Sequence, residues 1–316
     1  MNLKKVIKKQ GGMKLFRQYI KGGVLFTAIS QFLLLGKDRT ALEILRLSTR
    51  LKNKQKLKRR YKKKIEQHVL EYSDTLVREK SNKLWVCWFQ GMEEAPELVK
   101  TCFDSLRRNL TDREIILITD SNYRDYISFP KNVQEKIDLG IIQRTHLSDL
   151  LRLELLIKYG GTWIDATVFC TGNIIPKYML DSELFLFQCL KPGRDGQAAV
   201  ISSWFITAYS NSKILLLTRE LLYDYWNEHK ELINYFLLHD MFQIAIEQYP
   251  EEWDKVNPFD NATPHIILLR LFETYRQDVW EAVTARTPFH KLSYKFDSEK
   301  FNMKETFYEK VLTLNE

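Results

Sequence analysis

Residues Leu147–Phe169 read LSDLLRLELLIKYGGTWIDATVF, and this stretch decides the fold. Its first half carries leucines at helical spacing and stops at Gly160-Gly161, residues free to adopt the left-handed angles that end a helix. Ser148 is placed to cap that helix. Asp149 and Arg152 are three apart and share one helix face. Beyond the glycines the pattern becomes that of a strand: Trp163, Asp165, Thr167 and Phe169 point one way, Thr162, Ile164, Ala166 and Val168 the other. An acid in the middle of an apolar strand is costly to bury without a partner. Taken singly, Asp149 and Arg152 also read as a local ion pair, and Asp165 as a hydrogen-bonded core acid. Taken together, a capped helix, a Gly-Gly turn and an acid-bearing strand form a much rarer arrangement, and a divalent cation carrying a diphosphate would supply the acid's partner.

Upstream the same rhythm holds. Leu84–Phe89 (LWVCWF) is a wholly apolar strand ending at Gln90-Gly91. Ala95–Leu110 follows as a helix, with Pro96 in its first turn and Leu98, Cys102 and Leu106 one face apart. Glu114–Thr119 (EIILIT) is a second strand ending at Asp120, and Asn132–Leu139 a short helix. Strands alternating with helices predict an α/β sheet with parallel members. Ligands of such sheets bind beyond the carboxyl ends of the strands, which places Gln90, Gly91 and Asp120 where a nucleotide would sit.

Charge divides the chain. Of 48 Lys and Arg, 20 fall in residues 1–64 against only Asp38 and Glu43, a net of +18, so the remainder carries −10 of the overall +8. All 8 prolines lie beyond residue 95. Residues 1–80 are therefore expected to form a basic, helical, membrane-associating segment and residues 81–316 a globular domain, with no strand shared between them. Gly22–Gly36 (GGVLFTAISQFLLLG) is too short to span a bilayer core of about 30 Å. Together with the Lys- and Arg-rich run after it, it suits a helix lying on an anionic membrane surface. Nucleic acid is set aside as partner, because the run Lys52–Lys64 has no interleaved aromatic except Tyr61. With 45% hydrophobic residues and only 12 Gly, the composition excludes a disordered or collagen-like chain. Cys87, Cys102, Cys170 and Cys189 have no zinc-ligand spacing and read as reduced, buried thiols. No cleavable secretory signal is evident, which implies a cytosolic setting.

The segment S-D-L-L-R-x-x-x-L-x-K-Y-G-G-T-W-I-D-A-T-V-F resembles the nucleotide-sugar site of bacterial capsular polysaccharide synthesis glycosyltransferases. These are similar to the wider group of D-x-D sugar transferases, which includes mannosyltransferases and the large clostridial toxins. The resemblance extends to WVCWFQG-MEEAP, to SSWF (Ser202–Phe205), to YFLLHDMF (Tyr235–Phe242) and to HKLSYK (His290–Lys295). It implies a GT-A-like Rossmann-type domain, a nucleotide-sugar donor, a divalent metal (manganese or magnesium), a lipid-linked oligosaccharide acceptor and retention of anomeric configuration. By this analogy Asp149 and Arg152 contact the sugar hydroxyls, Asp165 and Arg152 are catalytic, Gly161 lines the donor site and Asp165 binds metal or ribose. The second acid of D-x-D is Thr167 here, a weaker ligand for a hard cation, so a further ligand is sought in His290, His239 or Asp240. His239 also reads as a packed core residue, Asp240 as solvated, and His290 as a loop residue on phosphate or at the surface. Lys191–Gln197 reads as a surface loop or a lid. The implied protein works at the cytoplasmic membrane face, peripherally; the alternative is a membrane-associated nucleotide-sugar or glycan-binding protein without turnover.

Overall fold

The structure is a computed structural model that describes residues 12–72, 76–172, 174–189 and 199–313. Four helices precede the first strand: α1 (Gly12–Lys21), α2 (Leu25–Leu35), α3 (Arg39–Arg60) and α4 (Lys62–Glu71). The side chain of Asp38 caps α3 by accepting from the Ala41 N–H at 2.9 Å. Along α3 the buried residues are Ala41, Leu45, Thr49, Asn53 and Leu57. This one-in-four stripe continues through Tyr61 to Ile65 in α4, so the basic run has one apolar face and a charged remainder.

The body is an α/β fold around a mixed five-stranded sheet ordered β2-β1-β3-β6-β5. β1 (Lys83–Cys87) pairs in parallel with β2 (Glu114–Ile118) and β3 (Gly161–Ile164), joined through α5 (Glu97–Asn109) and α6 (Arg144–Tyr159). β5 (Leu184–Gln188) and β6 (Ile201–Ala208) add antiparallel, with β6 beside β3. β4 (Val168–Cys170) leaves this sheet and pairs antiparallel with β7 (Phe289–Lys291). Helices α7 (Lys213–Glu228) and α8 (Leu237–Ile246) pack on each other and, with α6, supply most of one core layer. Gly161 has φ +95°, and a Cβ there would stand 2.2 Å from the Lys83 carbonyl oxygen. Glycine at this position thus lets β3 approach β1.

Three expectations change in the folded chain. The single strand read after the glycines is two strands in two sheets, broken by a turn at residues 165–167. Helix α6 starts at Arg144, so Ser148 lies inside it, donating to the Thr145 carbonyl at 2.7 Å rather than capping. The division at residue 80 follows charge and not packing. Leu57, Tyr61 and Ile65 belong to the main core, α3 packs on α8 and α4 on α7. Arg50, Lys54, Arg60 and Lys64 pair with the body acids Asp240, Glu247, Glu228 and Asp224. Much of the charge asymmetry is spent within the molecule. Lys191–Gln197 lies outside the described residues.

Candidate active site

The three parallel strands end together, and the chain after each carries an expected site residue: Gln90-Gly91 after β1, Asp120 after β2, Asp165 after β3. The turn that replaces the expected strand puts Asp165 at the tip of β3, its side chain 30% exposed. The backbone fixes it: its N–H donates to the Trp204 carbonyl at 2.9 Å, and its own carbonyl accepts from Val168 at 3.0 Å. Trp204 in turn donates its indole N–H to Asn261 at 2.8 Å.

Around Asp165 the structure assembles a charged set. Arg152 donates to Asp149 Oδ1 at 2.6 Å and to Asp165 Oδ1 at 3.2 Å, bridging both carboxylates. Trp163 adds an indole N–H to Asp165 at 3.0 Å, and its ring lies 4.9 Å beneath the Arg152 guanidinium. Asp149 and Arg152 are 8% and 3% exposed. Burial raises the Asp149 carboxyl against the downward pull of Arg152. One turn before Asp149, His146 is buried at right angles to Trp226, its pKa lowered by burial, and neither ring nitrogen has a hydrogen-bond partner. The Arg152 Nε is likewise unpartnered. Tyr235 rims the set, its hydroxyl raised by partial burial and then by the charges of Asp149 and Asp165.

The sequence reading missed Lys291. The register of β4 on β7 sets Lys291 opposite Val168, and its ammonium donates to Thr167 Oγ1 and stands 3.6 Å from Asp165 Oδ2. His290 and Leu292 are 0% and 1% exposed on one face of β7, and Lys291 shares the other with Phe289, also 0% exposed, so alternation alone does not mark it. His290 is therefore not a loop residue at the site but a buried strand residue bonded to Thr171 Oγ1 at 3.0 Å, its pKa pushed down to about 3 by burial. Asp240 is not solvated. It is fully buried between Arg50 at 3.3 Å and Asn234 at 2.9 Å, with its pKa pushed up to about 6 by burial. His239 beside it is held neutral, lowered to about 3 by burial and by Arg50 and Arg152.

A divalent ion at Asp165 and Thr167 would share their oxygens with Lys291. Asp165 and Thr167 are both engaged by Lys291, and no three His, Cys, Asp or Glu converge on one point among the described residues. An ion bound ~2.2 Å from Asp165 Oδ2 would stand within about 6 Å of the Lys291 ammonium, a repulsion of roughly 5 kcal/mol at a dielectric of about 20, set against a larger attraction to the carboxylate itself.

A cleft of about 470 Å³ opens past the end of β2, lined by Asp120, Tyr123, Gly140, Ile142 and Arg144; Asp149, Arg152, Asp165 and Lys291 do not line it. Asp120 pairs with Arg144, whose guanidinium lies 5.6 Å over Phe89. Cys87, at the end of β1, links the two regions. Burial pushes its thiol up to about 12, and it feels Arg152 and Asp165 as well as Asp120 and Arg144. Gln90 is exposed and Gly91, at φ +85°, has open space where a side chain would stand.

Open α/β sheets of this kind bind their ligands beyond the carboxyl ends of the strands, which is where these paired carboxylates and cations lie. The family model for capsular polysaccharide synthesis protein matches residues 40–311, and the chain belongs to that family. It is also similar to the O-glycosyltransferase PaGT of Phomopsis amygdali, 24% identical over 162 residues. That alignment takes 46% of this chain and 39% of the relative, so the chain matches well under half of that protein's length. Among solved structures, the PaToxG glycosyltransferase aligns over 83% of this chain and 95% of its own, at 13% identity and a TM-score of 0.37.

Proposed function

We propose that this protein is a GT-A-type glycosyltransferase that moves a hexosyl group from a nucleotide sugar to a lipid-linked oligosaccharide in the synthesis of capsular or other cell-surface polysaccharide. The observation that carries this reading is the Asp149–Arg152–Asp165 bridge at the tip of β3, with a cleft past the end of β2. Family membership and the name of the fungal relative support it. In the step envisaged, the bond from the anomeric carbon to the diphosphate oxygen breaks and the nucleoside diphosphate leaves with the electron pair. The acceptor hydroxyl oxygen bonds to that carbon on the same face, and its proton passes to the departing diphosphate oxygen. Asp165 orients the sugar or ribose hydroxyls, Arg152 holds Asp165 in place, and the cationic surroundings favour the leaving group. No dedicated base is required.

A peripheral position at the cytoplasmic face of a membrane fits the acceptor. Support comes from α2, whose Phe26, Leu33 and Leu34 are 84%, 76% and 78% exposed. Lys37 and Arg39 flank this apolar face and suit anionic headgroups. Among the described residues no helix is long and apolar enough to cross a membrane. The test is a hydrolysis screen over UDP-, GDP- and CMP-sugars with and without manganese, with NMR of the product anomer. Turnover of one donor supports the reading. Donor binding without hydrolysis or transfer in any condition would favour the alternative, a binding protein without turnover.

A further inference from the structure

Thr167 stands at the position of the second acid of a D-x-D pattern, and the structure puts Lys291 against it. Lys291 is not an incidental surface lysine. Its neighbours Phe289, His290 and Leu292 are 0%, 0% and 1% exposed, and the Leu292 N–H donates to the Thr167 carbonyl at 2.8 Å. The backbone of β7 is thereby pinned to the turn that carries Asp165. The Lys291 side chain is 19% exposed, so it is mostly packed while part of it meets solvent.

The charge count has a consequence. Asp149 and Asp165 balance Arg152 and Lys291, and burial keeps His146 and His239 neutral. A site with an acid at 167 and a neutral residue at 291 would be more negative by two units. A divalent ion would restore those two units; the pair Thr167 and Lys291 supplies them covalently. We propose that Lys291 is the resident cation of the donor site: its ammonium pairs with the diphosphate of the nucleotide sugar, and nucleotide binding therefore proceeds without a divalent metal ion. The proposal rests on the glycosyl-transfer reading above and adds the identity of the group that meets the diphosphate. An ammonium donates up to three hydrogen bonds; Thr167 and the Leu292 carbonyl at 3.4 Å take two, which leaves one for a phosphate oxygen.

The experiment is calorimetric titration of the full-length protein with UDP and with GDP, each in EDTA and in excess manganese. One diphosphate should bind in EDTA within about threefold of its affinity in manganese. Lys291→Ala should weaken that binding about tenfold or more, the scale of one lost charge-assisted hydrogen bond. Lys291→Arg should retain most of it, and Lys291→Gln, which keeps the length, covers the case in which the alanine variant does not fold. The double variant Thr167→Asp/Lys291→Ala should bind nucleotide only when manganese is present. Wild-type binding that vanishes in EDTA and returns with manganese overturns this proposal alone. The same holds if folded Lys291→Ala or Lys291→Gln binds as tightly as wild type in EDTA. Absence of binding to either diphosphate under both conditions, with no donor hydrolysed in the screen, overturns the donor reading together with it.

Discussion

Deleting residues 1–75 should leave a chain that cannot fold cooperatively, although charge alone suggests a detachable segment. The magnitude follows from what α3 and α4 bury. Leu45, Leu57, Tyr61 and Ile65 are 8%, 3%, 1% and 4% exposed, and each such side chain contributes about 1.5–3 kcal/mol on burial. Their loss removes about 6–12 kcal/mol, against a whole-domain stability of about 5–15 kcal/mol. The exposed ion pairs add little; Lys58 to Glu247, with Lys58 47% exposed, is typical. The deletion also bares the apolar surfaces of α7 and α8 on which these helices pack. Circular dichroism melts of the full chain and of residues 76–316 check this, with dye binding to report exposed apolar surface. The full chain should melt in one transition, and the shortened chain should bind dye and show none. Leu57→Ala in the full chain isolates one contact and should cost about 2–5 kcal/mol. A shortened chain melting cooperatively within a few degrees of the full chain would refute the assignment of Leu57, Tyr61 and Ile65 to the core.

Asp165→Asn should lower donor turnover at least ~100-fold with little change in melting temperature, since Arg152 keeps Asp149; undiminished turnover removes Asp165 from the mechanism. Arg50→Ala strands the buried Asp240 carboxylate and should cost about 3 kcal/mol at pH 7. Asp240 titrates near 6, above its unfolded value, so its ionisation opposes folding as pH rises through that value. Loss of Arg50 raises that value further, so the Arg50→Ala deficit should shrink as pH falls from 7 through about 6 and be small by pH ~5, and a pH-independent deficit in denaturant titrations counts against the pair. His290, lowered to about 3, contributes stability that is full above the unfolded histidine value and is lost as pH falls. About 2 kcal/mol should go between pH 7 and pH 5, and a His290→Asn variant should show a shallower acid slope; an unchanged slope would place the histidine in water. On anionic vesicles, serines at Phe26, Leu33 and Leu34 should weaken binding by about tenfold or more, with the melt unaltered. Sedimentation equal to wild type refutes insertion of this face.

The parts of the molecule legible in the sequence are those in which local pattern and burial coincide. Leu84–Phe89 and Glu114–Thr119 appear within two residues as β1 and β2, because a short apolar run between polar ends has few other ways to be buried. Asp149, Arg152 and Asp165 were legible as a group because helix spacing and a Gly-Gly stop set their relative places. The strand break at Asp165 was not, since alternation continues through Thr167 and Phe169 although the backbone changes sheets. Nor was the partnership of Lys291 with Thr167, 124 residues apart. It depends on the register of β4 against β7, and antiparallel pairing between distant strands leaves no local trace. The charge imbalance shows a different limit. Counting +18 against −10 identifies two complementary surfaces, and such surfaces can face a membrane or each other. Here Asp240, Glu247, Glu228 and Asp224 meet the basic helices, and the apolar face of α2 remains outside that contact. A membrane reading therefore rests on Phe26, Leu33 and Leu34 more than on the lysines that first suggested it.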